Sequence, residues 1–133
     1  MPRVGLNAIA VSLFLVLLAA PAWAQATATE FYLEYRKAFE SAASIGDVLP
    51  FLAAAVRKDI ESTPTDERAQ LFAFIRTLGV QKNLKIVRED AAPEGAVLTV
   101  EGLDGSGVMV GGTITLVRED GAFKLQQERW GPR

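Results

Sequence analysis

The chain contains neither cysteine nor histidine. Without cysteine it forms no disulfide, and no acylated cysteine can anchor it to a lipid surface. Without histidine it has no imidazole for acid/base work, no Ser-His-Asp triad and no histidine metal site. A basic stripe is missing as well. The chain has 14 Lys and Arg against 16 Asp and Glu, scattered along its length. This balance argues against nucleic acid or an anionic membrane surface as a partner.

The first residues read as an export signal. "MPRVGLNAIAVSLFLVLLAAPAWAQ" places Arg3 ahead of an uncharged, largely apolar run from Ala8 to Ala20. Pro21 breaks that run, and Ala22-Trp23-Ala24 supplies the small-x-small pattern of a signal peptidase site. Cleavage between Ala24 and Gln25 is expected, with an exported product in the periplasm or medium and no stable membrane anchor. The run is shorter than the roughly 20 residues a spanning helix needs. No Arg-Arg pair marks a twin-arginine route. The expected product is a single domain of residues 25–133, with 13 basic and 16 acidic residues once Arg3 is removed. A core of that size stands without covalent staples.

The first half of this domain reads as helices over about residues 28–78. Thr27 and Glu30 fit a capping box. Phe31, Tyr35, Phe39 and Ala42 or Ala43 recur on one face, and Gly46 stands where a helix stop is expected. Asp47 is expected to cap a second helix, "VLPFLAAAVRKDIES", with Pro50 in its first turn and Val48, Leu49, Leu52, Val56 and Ile60 as its apolar stripe. Thr63 as N-cap, Pro64 at N1 and Asp66 at N3 restart the pattern. Leu71, Phe72, Ile75 and Leu78 follow, and Gly79 stops the third helix.

The second half, about residues 83–130, alternates as strands do. Leu84 and Ile86 face one way and Lys85 and Val87 the other. Ala96, Leu98 and Val100 oppose Val97, Thr99 and Glu101. Val110, Gly112, Ile114 and Leu116 oppose Thr113, Thr115 and Val117. Phe123 and Leu125 oppose Lys124, Gln126, Glu128 and Trp130. Asp120-Gly121 signals a tight hairpin, and Gly111-Gly112 suggests a bulge or bend. Helices followed by antiparallel strands imply an α+β fold, with N-terminal helices packed on one face of a curved four-stranded antiparallel sheet.

The tetrapeptide Val-Arg-Glu-Asp occurs twice, at 87–90 and 117–120. In a meander these are the ends of strands one and three, on one sheet edge about 10 Å apart. Alignment places Ile86 and Leu116 inward, and Val87, Val117, Glu89 and Glu119 outward, as a solvated rim. The carboxylates of Glu89, Asp90, Glu119 and Asp120 lack the spacing of a calcium loop, and Arg88 and Arg118 neutralise their field. The glycine-rich "EGLDGSGVMVGG" lies between strands, so it reads as a hairpin loop and not as a phosphate cradle. Tyr32 and Tyr35, near Glu30, Glu34 and Arg36, offer a tyrosine/carboxylate pair or, more simply, an amphipathic core face.

"LKIVRED…GAVLTVEGLDGSG…GTITLVREDGAFKLQQERW" resembles small exported bacterial members of the nuclear transport factor 2-like, or cystatin-like, α+β roll superfamily. The likeness spans roughly Phe31 to Trp130 and rests on "VREDGAFKL" and the terminal "ERW". It implies a cone-shaped pocket between curved sheet and helices. The pocket would be lined here by Tyr35, Phe39, Leu98, Val100, Ile114, Leu116, Phe123 and Leu125. Some members, the ketosteroid isomerase-like enzymes, use Asp, Tyr or His there. The alternation puts no acid on that face, so no catalytic residue carries over. The expectation is a non-enzymatic exported protein holding an apolar small molecule or a protein partner, with no cofactor and no metal. One alternative is a pocket enzyme using Tyr35 with a helix acid. The other is a structural module forming a homodimer through the outer sheet face around Val97, Val117 and Trp130.

Overall fold

The computed structural model describes residues 26–133. The expected signal segment and its cleavage site at Ala24 and Gln25 lie outside the described residues. Among the described residues no helix is long and apolar enough to cross a membrane.

Helix α1 (Ala28–Ser41) starts where its sequence says it should. Thr27 is extended, and its hydroxyl accepts the Glu30 N–H at 3.1 Å. Its buried face runs through Ala28, Tyr32, Tyr35 and Phe39, and it also carries the buried Arg36. The helix ends earlier than expected. Ala42 is already extended, and Gly46 falls inside a 3-10 turn, Ile45–Asp47. Asp47 closes that turn backwards, its Oδ2 accepting from Ala43 N at 2.8 Å.

The expected second helix is broken. A 3-10 turn at Leu49–Phe51 leads to an extended Leu52, and only then does α2 (Ala54–Glu61) begin. Leu52 bridges to Leu125, and the Ala53 N–H donates to Leu125 O at 2.8 Å. A tertiary backbone bond has overridden the helical propensity of the alanine run. Helix α3 (Thr65–Ile75) has Pro64 at its N-cap, one residue later than expected. The Thr63 hydroxyl donates instead to Asp59 O at 2.9 Å, at the end of α2.

Four strands follow: β1 (Lys82–Ala92), β2 (Gly95–Leu103), β3 (Met109–Glu119) and β4 (Ala122–Pro132). They form one antiparallel sheet in the order β1-β2-β3-β4. Asp120 and Gly121 turn the last hairpin at φ of 53° and 80°, the left-handed pair that a two-residue turn requires. The glycine-rich segment is the β2–β3 loop, held by Asp104 Oδ1, which accepts from Ser106 N and Val108 N. The helices cover one face of the sheet. Leu98, Val100 and Ile114 are fully buried there, with Ala96, Leu116, Phe123 and Leu125 beside them.

Three register shifts interrupt the ladders: one near the start of β1, between Lys82 and Lys85, and two that reset the alternation further on. Between Ile86 and Arg88 the β1–β2 register shifts, leaving Val87 without a partner. Between Gln127 and Leu125 the β3–β4 register shifts, leaving Gln126 without one. An extra residue turns every later side chain of its strand to the opposite face. Residues opposite one another share a face, so Glu89, opposite Leu98, lies on the helix side of the sheet, at its exposed rim. Beyond Gln126, Glu128 lies opposite Ile114 and Trp130 opposite Gly112, both on the inner face. The expectation of Glu128 and Trp130 on the outer face fails for this reason. No bulge occurs at Gly111-Gly112, because the β2–β3 register runs unbroken.

Candidate functional site

A cavity of about 250 Å³ lies between β4 and the three helices. Its walls are mostly apolar, including Val48, Val56, Ile60 and Phe72. Tyr35, Arg36, Gln126, Gln127, Glu128 and Trp130 supply its polar part. α1 contributes the first two and the bulged end of β4 the other four.

Glycine makes room for Trp130 on both sides. A Cβ on Gly79 or on Gly112 would come within 2.5 Å of the indole ring. Gly79 also has a φ of +70°, which a side chain disfavours. The indole N–H so placed donates to Glu128 Oε2 at 3.0 Å. The second oxygen, Oε1, is shielded from water and has no protein partner.

Arg36 is 8% exposed. Its Nη2 donates to Val80 O at 2.9 Å and lies 3.9 Å from Glu40 Oε1. Its Nε–H has no acceptor. Tyr32 is wholly buried behind Tyr35, their rings stacked with centroids 5.9 Å apart. The Tyr32 hydroxyl also lacks a partner; Arg36 lies near it without the alignment of a hydrogen bond. Three buried polar atoms of one cluster are thus unpaired, each at a desolvation cost.

This environment sets the ionisation of the cluster. Burial pushes both tyrosine hydroxyls far above their ordinary value, the Glu128 charge adds to the push, and Arg36 opposes it. Burial also raises Glu128 above the usual carboxylate range, against the pull of Arg36, the Trp130 N–H and the Tyr35 hydroxyl. The result is a carboxyl with one oxygen tethered and one free, beside a buried guanidinium. Such a group can accept a hydrogen bond, or hold a proton more readily than an exposed glutamate does.

The expected lining residues divide. Tyr35, Phe39 and Leu125 face this cavity. Leu98, Val100, Ile114 and Leu116 fill the core, each at most 2% exposed. Phe123 lies in a separate open groove with Phe31, their rings 6.2 Å apart, and Glu30 and Glu34 line that same groove. The acid beside Tyr35 therefore comes from β4 and not from its own helix. Glu128, missed because Gln126 reverses the strand, contradicts the expected absence of an acid on the inner face. A trace of it was readable: the apolar positions change phase from Phe123 and Leu125 to Trp130.

The repeated tetrapeptide has a structural task. Glu89 Oε1 accepts from the N–H and hydroxyl of Thr29, each at 2.7 Å, in the first turn of α1. Both oxygens of Glu119 accept from Ala54 N at 3.1 Å, the first residue of α2. Each copy's glutamate thus satisfies free N–H groups at a helix start and complements its dipole. Arg88 pairs with Asp90 at 2.8 Å. Among the described residues no three acidic side chains gather as a metal site. No protein-family model matches the chain, and no curated protein or solved structure matches it.

Proposed function

We propose that the protein binds a small amphipathic molecule in the cavity between β4 and the helices. The observation that carries this reading is an apolar cavity whose wall includes two side chains with unpaired, water-excluded polar atoms, Arg36 Nε and Glu128 Oε1. Binding sites combine such apolar walls with a few placed polar groups. The likeness to nuclear transport factor 2-like rolls, which hold a pocket between sheet and helices, agrees with it. In this reading the protein acts outside the cytoplasm after losing residues 1–24.

Native mass spectrometry tests it directly. The full-length gene is expressed in a bacterial host and the chain recovered under mild conditions. A discrete excess mass, lost on denaturation and absent when Ile60→Trp fills the cavity, is the expected result. A bare chain that also shows no thermal shift with medium-chain amphiphiles overturns the reading.

A second reading is a pocket enzyme in which Glu128 and Tyr35 exchange a proton with a bound substrate. The inward acid with its raised proton affinity favours it. Turnover of a retained ligand that stops in Glu128→Gln, with binding kept, would separate it from simple binding.

A further inference from the structure

β1 is one edge of the sheet, and among the described residues no backbone hydrogen bond reaches its outer side. It is 11 residues long and holds no proline, about twice the length of an ordinary strand. An open edge of this kind is a template for a further strand. The other edge is guarded. Leu52 bridges to Leu125 of β4, Leu125 O takes the Ala53 N–H, and Pro132 stands at the strand's end. β1 is guarded only by its bulge and its charges. Lys82 and Lys85 precede the exposed Val87, and Arg88, Glu89 and Asp90 follow it. Lysine on an edge repels most strands. It does not repel a strand that sets an acid opposite to it.

The order of these charges selects the partner. Before the bulge, Lys85 lies opposite Glu101 on the outer face and Ile86 opposite Val100 on the inner one. Beyond it, Asp90 lies opposite Val97 on the outer face and Glu89 opposite Leu98 on the inner one. A second β1 laid antiparallel must match outer residues with outer ones. The two registers with their axis beside Val87 do so. One sets Lys85 against Arg88, a pair of like charges. The other sets Lys85 against Asp90, and the twofold axis repeats that pair. In this second register Leu84, packed on the core, meets Ala91, which lies opposite the buried Ala96. The axis falls between Val87 and Arg88, so the two bulges meet there and the regular arms on either side pair. Lys85 is available for this contact. Arg133 holds Glu101 at 2.8 Å, and among the described residues Lys85 forms no ion pair. Asp90 uses one oxygen for Arg88 and keeps the other. We propose that the protein pairs with a second copy of itself along β1, Lys85 of each copy facing Asp90 of the other. The contact runs along the sheet edge and not over the outer face around Val97 and Val117. The cavity lies against β4, at the opposite edge, so each copy keeps its own and the inference does not depend on the cavity reading.

Sedimentation equilibrium of the chain produced from the full-length gene tests the pairing, at low ionic strength where exposed charges are least screened. A reversible dimer is expected at roughly 100 μM, as suits a contact of modest area. Lys85→Glu alone puts two like-charge pairs across the axis and should weaken the dimer at least about tenfold. Asp90→Lys alone should do the same, by the same route. An equimolar mixture of the two single variants restores an opposite-charge pair at both positions. Mixed dimers should therefore form within about threefold of the unsubstituted affinity, the mark of a direct pair. Substitutions that merely disturbed the strand would not be rescued by mixing. A dimer indifferent to both substitutions overturns the inference and moves the contact elsewhere on the molecule. Variants that stay monomeric when mixed overturn it as well. So does an unsubstituted chain that is still a monomer at roughly 100 μM.

Discussion

Trp130 donates its indole N–H to Oε2 of Glu128 at 3.0 Å, from two positions further along the same inner face of β4. The bond holds one carboxylate oxygen, while the other is shielded from water without a geometric partner. It exists because the residue at Gln126 is unmatched in the β3–β4 ladder. With regular pairing both side chains would point into solvent.

Glu128 should make stability depend on pH in an unusual direction for an acid. Its folded-state proton affinity is raised, chiefly by burial. From the ordinary glutamate range up to the folded value, the folded chain therefore binds more protons than the unfolded one. Stability falls as pH rises through that window. Glu128→Gln removes this loss. The variant should melt above the unsubstituted chain at neutral pH, and the gap should close once the pH is below the ordinary glutamate range. Thermal melts across pH check this; a variant that melts lower at neutral pH would contradict it.

Gly79 should tolerate no side chain. Gly79→Ala places a methyl group against the Trp130 ring and forces a residue with a Cβ to a φ of +70°. The left-handed backbone alone costs about 1–2 kcal/mol, and overpacking adds about 1–3 kcal/mol. Urea titration should show the loss as a lower midpoint. In a Trp130→Ala background the steric part should vanish and the backbone part remain, so the two changes should not be additive.

The two helix-start glutamates should behave alike. Replacing Glu89 or Glu119 by Gln removes a charge at a helix N-terminus, at an expected cost of about 0.5–1 kcal/mol each. The sites serve different helices, so the double variant should lose the sum of the two. Chemical denaturation measures both. A loss well beyond the sum would mean the two caps are coupled.

Tyr32→Phe should stabilise the ligand-free protein. The hydroxyl is fully buried and has no hydrogen-bond partner, and an unsatisfied buried hydroxyl costs about 1–3 kcal/mol. Its removal leaves the stacking on Tyr35 intact. A lower melting temperature in the variant would show that the hydroxyl does find a partner.

The α1 cap at Thr27 and the inward set Ala96, Leu98 and Val100 were legible because local chemistry and the strand period agree there. The break before Ala54 was not. Three consecutive alanines read as helix, and only the backbone bond to Leu125, from the other end of the chain, pulls Leu52 and Ala53 straight. Nor was Gln126 legible as a bulge, since it carries no glycine or left-handed backbone to mark it. One residue there decides whether the inner face has an acid. The site was half visible, with Tyr35 and Phe39 on a periodic helix face and their polar partners beyond a phase change.

The two glutamate caps also fix a sequence of events during synthesis. Glu89 lies 60 residues after Thr29, and Glu119 lies 65 residues after Ala54. The ribosome therefore releases both helix starts well before the residues that complete them. α1 has Thr27 as a local substitute. α2 follows an alanine that offers no side chain for the purpose, so its first turn gains its cap only once β3 has been made and paired. A chain halted between the two tetrapeptides would carry a completed α1 beside an α2 still open to water at its first amide.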